Sequence, residues 1–303
     1  MKLSIIMPLY NMGDKVERTL KHLACQTLYD TEVIIINDGS TDNTGEIVEK
    51  YSDKLPIVLI NLSDRVSVGC ARNIGIKRAS GAYLVFCDGD DLIFLDKVYD
   101  VIKEMDIYRV SMSIVSYQDY DWLNDTVFDK TKGIRWDIVG DKKIINVKEY
   151  LPDIFQLTNI TCWNKIYKSD FLKNEKITFP DTNYLEDLVF VYEYILKAAK
   201  VLISKEICYR YSIPMPGRCS MLNSMENYLD EYLNTLDLMN KKLSLYFENS
   251  DRNEIEKISK SAIFEYIRLI SFAVKNAKGN WNSALDSKAF EIICELQEKS
   301  KKR

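Results

Sequence analysis

Residues 83–91 read Tyr-Leu-Val-Phe-Cys-Asp-Gly-Asp-Asp, a short apolar run that ends in three carboxylates. Asp88, Asp90 and Asp91 repel one another unless protons or a cation intervene, and hard carboxylate oxygens suit Mg²⁺ or Mn²⁺ far better than a soft metal. The stretch is therefore a candidate site for a divalent cation that bridges to phosphate. Asp-Gly is also a common turn pair, so the motif alone does not separate a metal site from a solvated loop. An EF-hand is excluded, because the glycine comes too early and the twelfth loop position is Tyr99. A second acidic centre is Glu186-Asp187, which opens an apolar helical segment. Paired acids there either complement a helix N-terminus or do acid–base work. The chain has one histidine, His22, expected on a helix surface, so proton transfer would fall to carboxylates.

The surrounding residues say how such groups would be positioned. Residues 3–9 and 32–37 are apolar, strand-like runs, and residues 56–61 make a third. Between them, Val16, Leu20 and Leu23 fall at helical spacing, and Asn43 with Glu46 forms a capping-box pattern for a helix through Lys50. A third helix over 69–79 leads into the 83–91 strand, so the first ninety residues spell β-α-β-α-β-α-β. Such alternation predicts a parallel sheet with right-handed crossovers, whose ligands gather at the strands' carboxyl ends. Asp38, after the second strand, falls at the same edge as Asp88. There a carboxylate can accept from base N–H or ribose hydroxyl groups, or simply form a strand-to-helix turn. Arg72 lies in the first turns of the third helix, where backbone N–H groups and a guanidinium favour an anion. Taken singly it reads as a surface arginine.

Together these residues resemble the nucleotide-sugar-dependent glycosyltransferases of family 2, whose fold is called GT-A. The match runs through Ser-Ile-Ile-Met-Pro-Leu-Tyr-Asn at 4–11, Ile-Asn-Asp-Gly-Ser-Thr-Asp-Asn-Thr at 36–44, Ala-Arg-Asn-Ile-Gly at 71–75 and Cys-Asp-Gly-Asp-Asp at 87–91, in family order and spacing. The resemblance implies an α/β, Rossmann-like, mostly parallel sheet flanked by helices. It implies a donor site in which Pro8 and Tyr10 border the uracil, Asp38 contacts base or ribose, and Arg72 lies near base and phosphates. Asp88 would serve both donor and metal, with Asp88 and Asp90, ahead of Asp91, holding Mn²⁺ or Mg²⁺. Asp187 maps onto the family's catalytic base and Glu186 onto a neighbouring acceptor contact. Trp163 and Lys165, in Trp-Asn-Lys-Ile-Tyr, map onto a segment below the acceptor site, although Lys165 suits a structural role equally. Tyr-Arg-Tyr at 209–211 and Gly-Arg-Cys-Ser at 217–220 are similar to a segment that folds over the donor diphosphate, making Arg210 and Arg218 phosphate contacts. Pro214, Pro216 and the arginine between glycine and serine depart from the family pattern there.

The implied reaction is an inverting, metal-dependent transfer of one sugar, from a UDP-sugar or similar donor, to a hydroxyl of a glycan or lipid-linked acceptor in bacterial surface-polysaccharide synthesis. A phosphatase of the haloacid dehalogenase type also uses Asp-x-Asp after a strand, but it leaves Asp38 and Arg72 unexplained. A non-catalytic nucleotide-sugar-binding module must treat Asp88, Asp90 and Asp187 as accidents. Processive synthases fit less well, since Arg135-Trp136 precedes Asp187 and position 132 is lysine rather than glutamine.

The totals agree with a globular enzyme. The chain has 303 residues, 47% of them hydrophobic, enough for about two domains. Expected units are 1–105, a nucleotide-sugar-binding half; 106–220, an acceptor-binding and catalytic-base half; and 221–303, a helical extension. Seven scattered cysteines without Cys-x-x-Cys predict reduced thiols and no zinc site. A net charge of −4 gives no general attraction to nucleic acid, and no run suits a signal peptide or a membrane span, so a cytoplasmic location is expected. The C-terminal helices carry apolar seams at three- and four-residue spacing. These would serve core, a homodimer or peripheral contact with the membrane's inner face, where Lys299, Lys301, Lys302 and Arg303 form a basic tail.

Overall fold

The computed structural model describes residues 2–301 apart from 14, 129, 214–224 and 226. Its centre is a ten-stranded sheet. Strands β1 (Leu3–Leu9), β2 (Thr31–Asp38), β3 (Ile57–Leu62) and β4 (Tyr83–Phe86) pair in parallel in the order β3-β2-β1-β4. Ile34, Ile35 and Ile36 of β2 are all fully buried, as they must be in a parallel strand covered on both faces. The crossovers are α1 (Val16–Ala24), α2 (Thr44–Glu49) and α3 (Val68–Arg78). Helix α1 buries Val16, Thr19, Leu20 and Leu23 along one stripe. Helix α3 is capped by Ser67, whose Oγ accepts from the Cys70 N–H at 3.1 Å. It lies close against the sheet at Gly75, where a Cβ would stand 2.4 Å from Ile6 Cγ2. The expected capping box of α2 is absent. Asn43 makes no side-chain cap, and Asp42 instead accepts from the Thr44 N–H at 3.0 Å.

After β4 come the short β5 (Leu92–Ile93), helix α4 (Leu95–Tyr108), strands β6 (Met112–Asp121) and β7 (Thr126–Val127), helix α5 (Trp136–Val139) and strand β8 (Ile144–Asn146). A 3₁₀ turn over Val147–Asp153 leads toward β9 (Lys165–Lys168), α6 (Ser169–Asn174), α7 (Glu186–Lys197) and β10 (Lys200–Ser212). Strand β9 inserts antiparallel between β4 and β6, while β10 runs parallel to β6 and antiparallel to β5 and β8. The sheet is thus parallel through its first four strands and mixed beyond them. Helices α8 (Leu229–Phe247), α9 (Arg252–Asn276) and α10 (Ser283–Lys299) form the C-terminal layer. Among the described residues no helix is long and apolar enough to cross a membrane, and the six described cysteines are unpaired.

Candidate active site

The turn that follows β4 and the start of α7 meet around one guanidinium. Arg72, on the second turn of α3, is 4% exposed. Its Nη2 donates to Asp88 Oδ1 at 3.2 Å, and its Nη1 donates to Glu186 Oε1 at 2.7 Å and Asp187 Oδ1 at 3.1 Å. Residues far apart in the chain thereby converge. Both terminal nitrogens of the guanidinium are engaged by these acids, and it lies 5.4 Å from the Phe179 ring, so it braces the acidic cluster. Its surrounding negative charge holds the Arg72 pKa well above the ordinary value despite burial.

Asp88 and Asp90 are open by comparison, with side chains 32% and 31% exposed. Asp90 accepts from Lys15 Nζ at 3.2 Å. Gly89 between them packs so closely that a Cβ would lie 2.3 Å from Leu9 Cδ2, which fixes the turn presenting both acids. Asp91 is different. It is 1% exposed, and both its oxygens are taken, by the Tyr209 hydroxyl and the Ser212 N–H, each at 2.7 Å. The Tyr209 hydroxyl also accepts from the Asp88 N–H at 3.0 Å, tying the acidic turn to β10.

The chemistry of this donor set fits a hard divalent cation. Four carboxylates, Asp88, Asp90, Glu186 and Asp187, face Arg72 and Lys15, which leaves negative charge uncompensated. Burial first, and then the charges of Asp90 and Asp187, push the Asp88 carboxyl up against the opposing pull of Arg72. Among the described residues no three ligating side chains form a ready-made cage. Two carboxylates completed by substrate phosphate is the arrangement Mg²⁺ commonly takes.

Glu186 and Asp187 open α7 directly after Leu185, which sits in the left-handed region at φ 59°. A bulky residue there stores backbone strain, which is found most often at functional sites. Asp187 Oδ2 accepts from the Cys162 N–H at 2.9 Å, so Arg72 and a loop amide grip one oxygen each. Burial, then the charge of Asp187, pushes Glu186 up to about 8, with Arg72 opposing. Near neutral pH Glu186 is therefore largely protonated.

Trp163 is 6% exposed and stacks on Tyr209, with ring centroids 4.5 Å apart. Lys165 has no exposure. Its Nζ donates to Asn159 O, Thr161 O and Asn164 Oδ1 at 2.8, 2.6 and 2.6 Å. It holds the 159–164 loop from inside and does not reach the cleft, a correction to its reading as an acceptor contact.

At the carboxyl edge of the sheet, Pro8 lies near the end of β1, opposite Ile36 of β2, and Tyr10 lies two residues on, 37% exposed. The Arg65 guanidinium stands 4.1 Å from the Tyr10 ring centroid. Asp38 is 4% exposed and accepts from the Val66 N–H at 2.8 Å, and burial raises its carboxyl. Arg210 does not face this site. Tyr209 and Tyr211 of β10 point to Trp163, and strand alternation sends Arg210 to the other face, 4.9 Å from the Phe94 ring. Arg218 lies outside the described residues. His22, on α1, is half-buried: its Nε2 lies 2.9 Å from Ile93 O, and burial lowers its pKa. Lys15, Arg65 and the Cys162 amide were missed by the sequence reading. Lys15 and Arg65 sit in connections at the sheet's carboxyl edge, a positional signal available from the sequence, whereas a backbone amide leaves none.

The sheet, with paired acids at its carboxyl edge, has the architecture of the GT-A class of sugar-transferring enzymes. The sequence model described as Glycosyl transferase family 2 matches residues 4–173, and the chain belongs to that family. It is 27% identical over 262 residues to the uncharacterized glycosyltransferase YibD of Escherichia coli K12, covering 85% of this chain and 73% of that one. It is 27% identical over 299 residues to the poly(ribitol-phosphate) beta-N-acetylglucosaminyltransferase TarS of Staphylococcus aureus, covering 94% of this chain but 48% of TarS. The chain thus spans about half the length of that relative. The crystal structure of TarS 1–349 with UDP-GlcNAc superposes with a TM-score of 0.73 at 19% identity, over 99% of this chain and 82% of that one. The mannosyltransferase PcManGT of Pyrobaculum calidifontis, solved with GDP-Man and Mn²⁺, gives a TM-score of 0.55 at 13% identity, over 99% of this chain and 87% of that one. The chain is therefore a glycosyltransferase, which removes the phosphatase alternative.

Proposed function

We propose that this glycosyltransferase moves one sugar, with inversion, from a UDP-sugar to a hydroxyl of a glycan or lipid-linked acceptor used in bacterial surface-polysaccharide synthesis. The observation that carries this reading is the convergence of Asp88 and the Glu186–Asp187 pair on Arg72. It brings a donor-side acid and a base-side acid into one cleft. The division of labour follows. Asp187 takes the proton of the acceptor hydroxyl as its oxygen attacks the anomeric carbon and the bond to the diphosphate breaks. Arg72 and the Cys162 N–H each occupy one site on an Asp187 oxygen, which orients the carboxylate while leaving lone pairs for that proton. Asp88 and Asp90 would hold Mn²⁺ or Mg²⁺, which when bound supplies Lewis-acid stabilisation of the departing diphosphate. Pro8, Tyr10 and Asp38 border the base and ribose. Trp163 underlies the acceptor, and Glu186, protonated, donates to it. The TarS complex with UDP-GlcNAc and the PcManGT complex with Mn²⁺ support the donor and metal assignments by likeness of fold. On this reading residues 1–105 form the donor half, 106–220 the acceptor and base half and 221–303 the helical extension, and the reaction takes place in the cytoplasm.

The test is a donor panel. Purified protein with Mn²⁺ is incubated with UDP-, GDP- and TDP-sugars, with and without lipid-linked glycan acceptors, and free nucleoside diphosphate is measured. Release from one UDP-sugar should fall by about 10²-fold or more in Asp187→Ala, in line with loss of a general base, and be abolished in Asp90→Ala or by EDTA. Release unaltered by Asp187→Ala would refute the base assignment, and release insensitive to EDTA would refute the metal.

A further inference from the structure

We propose that the outer face of α9 is a docking surface for an anionic lipid bilayer. The inference rests on the helical layer alone and stands whatever sugar the active site transfers. The inner face of α9 is committed to the fold, with Ile258, Ala262, Tyr266 and Ala273 fully buried. The opposite face is apolar as well: Phe264, Ile267 and Val274 are 63%, 51% and 45% exposed. They recur at i, i+3 and i+10, so they line one ridge along the helix. Large apolar side chains aligned on an exposed ridge mark an interaction surface more often than scattered ones do.

The charges around the ridge choose the partner. Lys257, Lys260, Arg268 and Lys275 lie within about 40° of Phe264 when projected at 100° per residue. The acids on this stretch answer only part of that charge. Glu256 pairs with Lys260 at 2.6 Å, and the buried Glu265 pairs with Arg268 at 2.5 Å. Lys257 and Lys275 form no ion pair among the described residues. This basic ridge belongs to a chain whose net charge is −4, so its sign is local. A second copy docked by two-fold symmetry would set these cations against themselves, which costs binding. A surface of anionic head groups over hydrocarbon satisfies both features at once. Lysines along the ridge meet the head groups, while Phe264 and Ile267 enter the acyl boundary.

The experiment uses the full chain and sedimentation with vesicles of phosphatidylcholine, with or without phosphatidylglycerol. Binding should require phosphatidylglycerol and weaken as salt is raised. It should fall by more than about tenfold in Lys257→Glu/Lys275→Glu, since each basic residue near the surface contributes on the order of 1 kcal/mol. Phe264→Ser/Ile267→Ser should also lose binding while nucleoside diphosphate release in solution is unchanged, because these side chains are exposed on the face of α9 opposite the buried Ala262, Tyr266 and Ala273. Unaltered melting temperatures establish that both variants fold. Equal sedimentation of wild type and variants, or none with phosphatidylglycerol, overturns the proposal. So does a dimer in solution that Phe264→Ser/Ile267→Ser converts to monomer, since a second copy would then cover the face.

Discussion

Arg72 is the residue on which the cleft depends. Replacing a buried cation leaves its partners uncompensated, and the cost of breaking such a set is typically 3–5 kcal/mol, so Arg72→Met should lower stability by about that amount in urea denaturation. Arg72→Lys should recover only part, because an ammonium cannot reproduce the fork that reaches three carboxylates. Glu186 gives a pH signature. Its folded-state value near 8 lies above the unfolded value near 4.5, so the native state keeps a proton that the unfolded chain releases. Its contribution is complete below about 4.5 and is lost as pH rises toward 8. Glu186→Gln mimics the protonated form, so its melting temperature should gain on wild type steadily across that window. A difference independent of pH would show that Glu186 is ionised throughout. Burial brings Lys165 down to about 7, yet its three acceptor oxygens match the three N–H groups of the ammonium form. Lys165→Met should therefore loosen the loop that presents the Cys162 amide to Asp187, lowering kcat with little change in donor KM.

At the level of elements, α3 sets where Arg72 stands. Gly75→Ala would press a methyl group against Ile6 and Ile36, and overpacking of this kind costs about 1–3 kcal/mol. The expected result is a lower melting temperature together with reduced activity, since α3 must lift from the sheet and carries Arg72 with it. The first four strands were legible from sequence as short apolar runs, most clearly β2, where burial on both faces goes with the unbroken β-branched run Val33 to Ile36. The acids were legible too, through their place just past such runs. Strand β9 was not, because Lys165–Lys168 is four residues long, has a lysine at each end and pairs only with distant partners. The face taken by Arg210 was also hidden. In a strand each one-residue shift reverses every side chain, and β10 carries register shifts between Ser204 and Tyr209 that nothing local announces. Burial of His22 depends likewise on a distant contact, with Ile93 and Phe94 closing over it.

Across the whole molecule, the C-terminal helices reach back to the cleft. Ser261 of α9 accepts from the Phe155 N–H at 3.0 Å and donates to Gln156 Oε1 at 2.8 Å, beside the loop that grips Asp187. Glu231 of α8 accepts from Thr182 Oγ1 at 2.6 Å and from the Asn183 N–H at 2.5 Å, just before Glu186. Ser261→Val removes a buried partner from the Phe155 amide and should cost about 1–3 kcal/mol in chemical denaturation, with activity declining in parallel. The placement of β9 also orders events during synthesis. Once α4 has left the ribosome, the nascent chain holds Asp88, Asp90 and Arg72, but the β4 edge stays open until residues 165–168 arrive, and β5 waits for β10. Pairings at such separation close slowly, and an open strand edge invites association with other chains. Refolding from denaturant should therefore be slow and concentration-sensitive, and a ribosome that stops before α7 releases a chain that carries Asp88 and Asp90 without Glu186 and Asp187 to face them.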